Sequence, residues 1–289
     1  MLSYRHAFHA GNHADVLKHF TQVLILQSLL RKEKPFLYLD SHAGAGVYDL
    51  RSASAEKTAE YVEGIGKIMN KPSPPAVIKS YLSLIREMNP QGDDGESLRH
   101  YPGSPWLAQC LMRKQDRAHL FELHPADSRI LRSNMRAARR DISPRIKVHQ
   151  ENGFQQLRAV LPPLEKRALV LIDPPYEVKA DYATVVQAVQ EGYKRFATGI
   201  YALWYPVVQR QRIDLLEQQF QDSGIKNVVL IEMNVRPDSE ALGMTGSGMI
   251  VVNPPWQLVE DLTSALPWLL DCLGVAKGAS WRIDTLVEE

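Results

Sequence analysis

Apolar residues recur at helical spacing near the start of the chain. From residue 12 to residue 31 they return every three or four positions, which predicts an amphipathic helix with Asn12 as its N-cap. A continuous apolar run follows over residues 36–39 and ends in Asp40. Such a run is typical of a strand buried on both faces of a parallel sheet. Residues 1–35 are therefore predicted to form an N-terminal tail and a helix that precede the first strand.

Short apolar runs alternate with helical stretches in the second half of the chain. Besides the first strand, the candidates are residues 120–122, 146–148, 168–172, 200–205, 228–233 and 249–252. Strands that alternate with helices predict an α/β domain with a mostly parallel sheet, here of seven strands, and helices on both faces.

The segment 47–104 interrupts this alternation. It carries two apolar stripes at helical spacing, over residues 59–68 and 78–88, separated by the helix-breaking sequence 71–75. The strand pattern resumes afterwards. We therefore interpret the segment as a small helical insertion within a single domain that spans residues 1–289.

Composition narrows the class of protein. The chain has 289 residues, of which 45% are hydrophobic, and this excludes a disordered protein. Its net charge of +1 argues against nucleic-acid binding through bulk charge but leaves room for a local basic face. Residues 110–150 carry a net charge of +6. That run fits a solvated helix face as well as a phosphate-binding face.

Several further classes of protein are not expected. Cys110 and Cys272 lie far apart, so neither a disulfide framework nor a zinc site is predicted. The start of the chain is polar, unlike a signal peptide, and no apolar run has the length of a membrane span. We expect a cytoplasmic protein without a membrane segment. Histidines are frequent before residue 20, but no cysteine or carboxylate constellation accompanies them, and no metal is expected.

Candidate chemistry lies where the predicted strands end, since ligands bind beyond the carboxyl ends of parallel strands. The first strand runs into a glycine loop with Gly44 and Gly46, a weak signal that a simple turn would also explain. Glu122 ends the second strand, where an acid often binds ribose hydroxyls. Asn152 and Gly153 follow the third strand, near the expected adenine edge, although an ordinary Asn-Gly turn has the same sequence.

The strongest motif is Asp173-Pro174-Pro175-Tyr176, directly after the fourth strand. An exocyclic amine is a poor nucleophile because its lone pair is delocalised into the ring. A carboxylate and a backbone carbonyl that accept hydrogen bonds from the amine restore electron density, and the carboxylate can take the surplus proton. The prolines make a rigid turn, and the tyrosine ring can stack on a flipped base. A purely structural Pro-Pro turn is the alternative.

A second motif, Asn253-Pro254-Pro255-Trp256, follows the seventh strand. An amide cannot take a proton, and the seventh strand is distant from the glycine loop in the usual sheet order. We therefore predict a structural role for Asn253.

The motifs together resemble those of a known family. Asp40-x-His-Ala-Gly-x-Gly, Glu122 and Asp173-Pro-Pro-Tyr, in this order, resemble class I S-adenosylmethionine-dependent methyltransferases. Longer strings are similar to the RlmJ family of bacterial 23S rRNA adenine-N6 methyltransferases, over residues 1 to about 268. The strings that carry this resemblance begin at Tyr4, Phe8, Ala14, Tyr101, Glu122, Gly153 and Ile200.

The resemblance implies a Rossmann-like fold, S-adenosylmethionine as cofactor, and N6 methylation of one adenine in protein-free or early-assembly 23S rRNA by a monomer. The implied catalytic residues are Asp173, Pro174 and Tyr176. The implied cofactor-binding residues are His19, His42, Gly44, Ser104, Glu122, Asn152, Gly153 and Asp173. The implied RNA contacts are Tyr4, Arg5, His6 and Lys18. Asn152 departs from the family pattern, which has aspartate there.

Three alternatives remain open at this stage. The same motif serves DNA adenine-N6 methyltransferases, because the flipped base is identical. A non-catalytic nucleic-acid-binding protein, involved in the use of external DNA, would not need Asp173. A nicotinamide-dependent oxidoreductase is disfavoured because the third glycine of its fingerprint is missing.

Overall fold

A computed structural model describes residues 5–90, 98–177, 181–239 and 243–289 of the chain. Within these ranges the strands are β1 (Leu37–Asp40), β2 (Val47–Asp49), β3 (His100–Pro102), β4 (Arg117–Phe121), β5 (Ile146–His149), β6 (Ala168–Ile172), β7 (Ile200–Val207), β8 (Val228–Asn234), β9 (Gly246–Val252) and β10 (Ser280–Val287). The α-helices are α1 (His13–Leu30), α2 (Ala53–Thr58), α3 (Lys67–Asn70), α4 (Lys79–Met88), α5 (Ser104–Leu111), α6 (Pro125–Ala138), α7 (Gly153–Val160), α8 (Asp181–Arg195), α9 (Arg210–Gln221) and α10 (Leu258–Leu273).

The main sheet has the strand order β10-β8-β9-β7-β6-β1-β4-β5. The five strands from β7 to β5 are parallel, whereas β9 is antiparallel to both of its neighbours and β10 is antiparallel to β8. The chain first adds β4 and β5 on one side of β1 and then returns to place β6 on the other side. Such a reversal opens a crevice at the carboxyl ends of the strands, where open α/β sheets bind ligands.

Alternating side chains divide the core between the two faces of the sheet. On β1, Leu37 and Leu39 belong to the core beneath α7, α8 and α9. Tyr38 belongs to the other core, with side chains from α1, α5 and α10. Because both faces are covered by helices, β1 is buried along its whole length, which explains its continuous apolar sequence.

The predicted α/β fold is confirmed, and each of the seven strand candidates is a strand. The predicted strand count is wrong by one, because β10 is an eighth strand. Its residues are half-buried or exposed at the sheet edge, so its sequence lacks the apolar run that marked the others. Arg282 anchors this strand through bonds to the buried carboxylate of Glu232 and to Glu217.

The segment 47–104 contains α2, α3 and α4, together with the antiparallel pair of β2 and β3. The first apolar stripe is not one helix. Ala59 has a left-handed φ of 50°, and Gly64 has non-helical dihedral angles. A Cβ on Gly64 would lie 2.1 Å from the carbonyl oxygen of Gly11, which itself accepts a bond from the Ile65 amide. The first apolar stripe therefore loses its helical geometry at Gly64, where it packs against the residues just before α1.

The structure also bears on membrane association. Throughout the described ranges, every helix is too short or too polar to cross a bilayer.

Candidate active site

A cavity of about 360 Å³ lies at the carboxyl ends of β1, β4 and β6. Its volume is in the range of small-molecule and cofactor sites. The predicted site residues that line it are His6, Lys18, His19, His42, Gly44, Ser104, Glu122, Asn152, Gly153, Asp173 and Pro174.

The glycine loop and the end of β4 are joined directly. Gly44 has a φ of +59°, and its amide donates to Glu122 Oε2 over 2.8 Å. The other carboxylate oxygen accepts from the His124 amide over 2.7 Å. Burial raises the pKa of the Glu122 carboxyl, although the two amide bonds oppose this shift. Each carboxylate oxygen can accept a second bond, so Glu122 keeps two acceptor positions.

Asp40 organises the floor of the cavity. Its buried carboxylate accepts bonds of 2.7 Å from the hydroxyls of both Tyr38 and Ser104. Burial raises the pKa of Asp40 to about 6, against the effect of these bonds. Ser104 begins α5, so the bond ties that helix to the end of β1. The hydroxyl predicted to hold the cofactor is thus already engaged by Asp40.

Two predicted cofactor histidines bond hydroxyl groups through Nδ1. His19 Nδ1 lies 2.8 Å from the Tyr101 hydroxyl, and burial lowers its pKa to about 3. His42 Nδ1 lies 2.8 Å from the Ser41 hydroxyl, and burial lowers its pKa to about 4. The edge of the His42 ring also contacts Phe154. Both imidazoles are therefore uncharged walls of the cavity at neutral pH.

Asn152 and Gly153 both line the cavity, and both also stabilise the local fold. The Asn152 side chain caps α7 by accepting from the Gln155 amide, while the residue also lines the cavity. A Cβ on Gly153 would lie 2.1 Å from the Ser41 carbonyl oxygen. Only glycine lets this loop close on the end of β1.

Asp173 is joined to α1 by a buried cation. Lys18 Nζ lies 2.5 Å from Asp173 Oδ2 and 2.8 Å from Asp15 Oδ1. Burial by itself lowers the pKa of the Lys18 ammonium, but the two carboxylates outweigh it and raise the pKa above its ordinary value. The second oxygen of Asp15 accepts from His6 Nε2 and from the Gly11 amide, each over 2.9 Å.

Asp15 is the main site residue that sequence reasoning missed. The sequence analysis gave this residue no role in the site. Burial favours its neutral form, but His6 and Lys18 hold the pKa of its carboxyl well below the ordinary value. A charged residue in an otherwise buried stretch of helix was the available signal. Its partners lie on separate segments, so only the fold reveals them.

Pro174 and Pro175 line the cavity with Asp173, whereas Tyr176 turns away from it. Tyr176 donates its hydroxyl to the Trp204 carbonyl over 2.7 Å, and its ring centroid lies 4.6 Å from that of Tyr182. Tyr176 is not among the described residues that line the cavity. Its ring is packed beside the Asp-Pro-Pro turn.

The residues predicted to contact RNA are placed differently from one another. Lys18 is buried, so its ammonium reaches the cavity and not the outer surface. Arg5 pairs with Asp127 at the start of α6, over 3.0 Å. His6 lines the cavity and bonds Asp15. Tyr4 lies outside the described residues.

The second Pro-Pro motif lies beside the amino ends of the parallel strands, whereas the cavity lies at their carboxyl ends. Because β9 runs antiparallel to β7, its end at Val252 pairs with Tyr201 near the start of β7. Asn253 has a φ of +51°, and its amide donates to the carbonyls of Ala197 and Gly199. This placement supports the structural role predicted for Asn253.

The described residues include potential metal ligands in the histidines and carboxylates near the start of the chain. In those ranges, His, Cys, Asp and Glu side chains do not gather in groups of three or more that could hold an ion. His9 and His6 instead bond carboxylates, Glu60 and Asp15 respectively.

The fold and the site together define a class of enzyme. A mostly parallel sheet with β1 between β4 and β6, a glycine loop after β1, an acid after β4 and Asp-Pro-Pro-Tyr after β6 are the features of class I S-adenosylmethionine-dependent methyltransferases. The cofactor is accordingly S-adenosylmethionine.

Comparisons with known proteins identify the family. The sequence model of the family described as ribosomal RNA large subunit methyltransferase D, RlmJ, matches residues 33–287. The chain belongs to this RlmJ family. It is 54% identical to ribosomal RNA large subunit methyltransferase J of Escherichia coli over 93% of each chain. It is 50% identical to the protein of the same name from Haemophilus influenzae over the whole of both chains.

The fold is also shared with a protein of known structure. A crystal structure of a Legionella pneumophila protein superposes with a TM-score of 0.86 at 34% identity. The match covers 96% of this chain and 98% of that one.

The donor set of the cavity fits S-adenosylmethionine. Glu122 offers the two acceptor positions that a pair of ribose hydroxyls requires. Asn152 brings an amide to the wall where an adenine edge would lie, and His42 with Phe154 forms an aromatic wall beside it. Asp173 lines the same cavity, so its carboxylate would share one space with the cofactor.

Proposed function

We propose that the protein methylates N6 of one adenine in 23S rRNA, with the base flipped into the cavity beside Asp173. The ribosomal substrate is supported by the family and by the names of both relatives. The chemistry at the amine rests on one observation: the Asp173 carboxylate lines the cofactor cavity and is bonded to a buried lysine.

Asp173 and Pro174 would activate the amine. The carboxylate accepts a hydrogen bond from N6, and the adjacent backbone carbonyl accepts the second amine hydrogen, which localises the lone pair on nitrogen. When bound, S-adenosylmethionine supplies a methyl group on a positively charged sulfur. Asp173 then takes the proton that the methylated nitrogen must lose. Most of the remaining catalytic effect comes from positioning within the cavity.

Lys18 would position Asp173 and would not bind RNA phosphate. Its ammonium is buried between Asp15 and Asp173, which fixes the carboxylate at the cavity wall. The remaining oxygen of Asp173 is then directed at the amine. Asp15 compensates for the cost of burying the cation, and its second carboxylate oxygen is bonded to His6 Nε2.

The predicted cofactor residues would act in two ways. Glu122, Asn152 and the Gly44 loop provide polar atoms or close backbone approach. His19, His42 and Ser104 shape the cavity, since their polar atoms bond Tyr101, Ser41 and Asp40 respectively. Gly153 lets the Asn152 loop close on β1.

Tyr4, Arg5 and His6 would contact the RNA near the flipped base, next to the cavity that His6 lines. Tyr176 was predicted to stack on the base, but its ring lies outside the described lining of the cavity and would instead support the Asp-Pro-Pro turn. Its packing against Tyr182 and Trp204 holds the ring close to the Asp-Pro-Pro turn.

The substrate pool follows from the proposed activity. Protein-free or early-assembly rRNA exposes its bases and occurs in the cytoplasm. The protein would act there as a single-domain monomer, which analytical ultracentrifugation tests directly.

Transfer of labelled methyl from S-adenosylmethionine to unmodified, protein-free 23S rRNA tests the proposal, with matched DNA and the Asp173→Ala variant in parallel. We expect label on rRNA as N6-methyladenine and its loss in the variant. Label on DNA alone would keep the mechanism and replace the substrate. Cofactor binding without methylation of either polymer would indicate a non-catalytic nucleic-acid-binding protein.

A further inference from the structure

Four arginines form a row on the outer side of α6. Arg129, Arg132 and Arg136 are three and four positions apart, so they share one face of the helix, and Arg140 follows just beyond its end. The opposite side of α6 is apolar and packs through Leu131 and Met135. The four arginines surround a shallow concavity together with Ser133 and Ala137. We call these four residues the α6 arginine row.

Most of the row has no partner within the described part of the chain. There, Arg129, Arg136 and Arg140 take part in none of the hydrogen bonds or ion pairs, and Arg132 makes one long bond to the Val148 carbonyl. Many other described arginines pair instead with carboxylates. They are Arg5, Arg99, Arg113, Arg117, Arg139, Arg158, Arg210 and Arg282.

The neighbouring Arg139 shows the contrast within the same segment. It pairs with Asp141 and donates to the carbonyls of Cys110 and Met112, so it is a structural residue. The sequence from residue 128 to residue 140 contains five arginines and no acid. The charge of the α6 arginine row is therefore left uncompensated along the helix.

Helix stability does not account for the row. Like charges three or four positions apart destabilise a helix by a few tenths of a kcal/mol per pair. The negative end of the helix dipole would favour Arg136 in the last turn but not Arg129, which lies in the first half of α6. An anionic ligand outside the protein would compensate for both effects.

The row begins close to the cavity. His124 and Asp127, at the start of α6, line the cavity, and Asp127 holds Arg5 of the tail. Arg129 is only two residues further on. From Arg129 to Arg136 the helix rises about 10 Å, a length comparable to three nucleotide steps. A polyanion that places one of its units in the cavity can therefore extend along the side of α6 that carries the α6 arginine row.

We propose that the α6 arginine row binds consecutive phosphates of the RNA strand that flanks the target adenine. This inference rests on the proposed function, because it takes the nucleotide in the cavity to belong to RNA. Phosphate contacts of this kind set register and affinity without reading sequence.

The test is the triple variant Arg129→Gln, Arg136→Gln, Arg140→Gln. Its matched control is the triple variant Arg31→Gln, Lys32→Gln, Lys34→Gln. This control removes the same charge from exposed positions just before the start of β1, at the end of the strand opposite the cavity. For the α6 variant we expect KM for 23S rRNA to rise roughly tenfold at moderate salt, with kcat, cofactor affinity and thermal unfolding unchanged. The slope of log affinity against log salt should fall by about 2 to 3, and the control should keep the wild-type slope.

Two outcomes would overturn the inference. A salt slope and KM equal to those of the control would overturn it. A loss of cofactor affinity or folding in the α6 variant would overturn it too, because the row would then be structural. RNA affinity is measured without cofactor. A wild-type protein that binds rRNA without methylating it would therefore refute the proposed function, while the slope still decides the role of the row.

Discussion

The ammonium of Lys18 lies 2.5 Å from the carboxylate of Asp173, although 155 residues separate them in the chain. This bond connects the second turn of α1 to the loop after β6. It requires that both charges be buried together with Asp15, which costs free energy unless all three groups pair. The arrangement makes α1 part of the candidate catalytic centre.

Lys18→Met should reduce the methylation rate by about 100-fold or more, because Asp173 loses the group that positions it. Single-turnover rates measure this effect. Lys18→Arg should recover part of the rate, since it restores the charge. Removing the cation also leaves Asp15 buried with fewer partners, so thermal unfolding should occur at lower temperature. A rate within threefold of wild type would refute the positioning role.

Glu122→Gln should weaken S-adenosylmethionine binding about tenfold, which corresponds to about 1.4 kcal/mol. The amide nitrogen cannot accept the bonds that both carboxylate oxygens now receive. Titration calorimetry measures the dissociation constant. Glu151→Gln, an exposed carboxylate on the same cavity wall, is the control and should change affinity little. Equal effects of the two substitutions would mean that only general negative charge matters.

Gly44→Ala should weaken cofactor binding more than tenfold. The new Cβ would lie 2.2 Å from the Tyr48 hydroxyl, so the loop must move. Gly224→Ala separates this clash from backbone strain, because its φ is also positive and its Cβ would meet no atom within 4 Å. That control should lose only about 1–2 kcal/mol of stability and keep its cofactor affinity. Intact binding in Gly44→Ala would contradict the close approach inferred for this loop.

His19→Gln should flatten the dependence of stability on pH. The folded-state pKa of about 3 lies below the ordinary value of 6.5, so the unfolded state binds the proton first as pH falls. Wild-type stability is therefore full above pH 6.5 and declines towards the folded-state pKa. Relative to the variant, the free energy of unfolding should drop by about 1 kcal/mol between pH 6 and pH 5. Urea unfolding at each pH measures the free energy of unfolding of both proteins. If it changed with pH equally in wild type and variant, His19 would be accessible to protons in the folded state.

Asn253→Ala should lower stability by about 2 to 3 kcal/mol and leave kcat unchanged. The substitution removes two bonds to the carbonyls of Ala197 and Gly199, and it places alanine at a φ of +51°. Asp173→Asn should instead abolish turnover, and it should also lower stability because buried Lys18 loses one of its two carboxylate partners. Loss of turnover in a folded Asn253→Ala protein would mean that the wrong Pro-Pro motif had been assigned to catalysis.

The sequence predicted the strands and the motifs at their ends better than the contacts between them. The glycine loop, Glu122 and Asp173 follow β1, β4 and β6, and parallel strands bring such ends to one edge whatever the loop details. Ser104 and His19 were assigned to the cofactor by resemblance, yet their polar atoms bond Asp40 and Tyr101. Such partners follow from packing, which no local pattern records.

Local periodicity and motif chemistry determined the α/β class, the seven predicted strands and the position of the Asp-Pro-Pro-Tyr motif after β6, because each depends on residues close together in the chain. The tertiary structure alone decided that Lys18 faces Asp173, that Arg139 is structural and that Arg136 is free of partners in the described chain. It also decided that β9 is antiparallel, so that Asn253 lies beside the amino ends of the parallel strands and not at their carboxyl ends. These outcomes depend on strand direction and on which distant side chains share a buried space, and neither is set by neighbours in sequence.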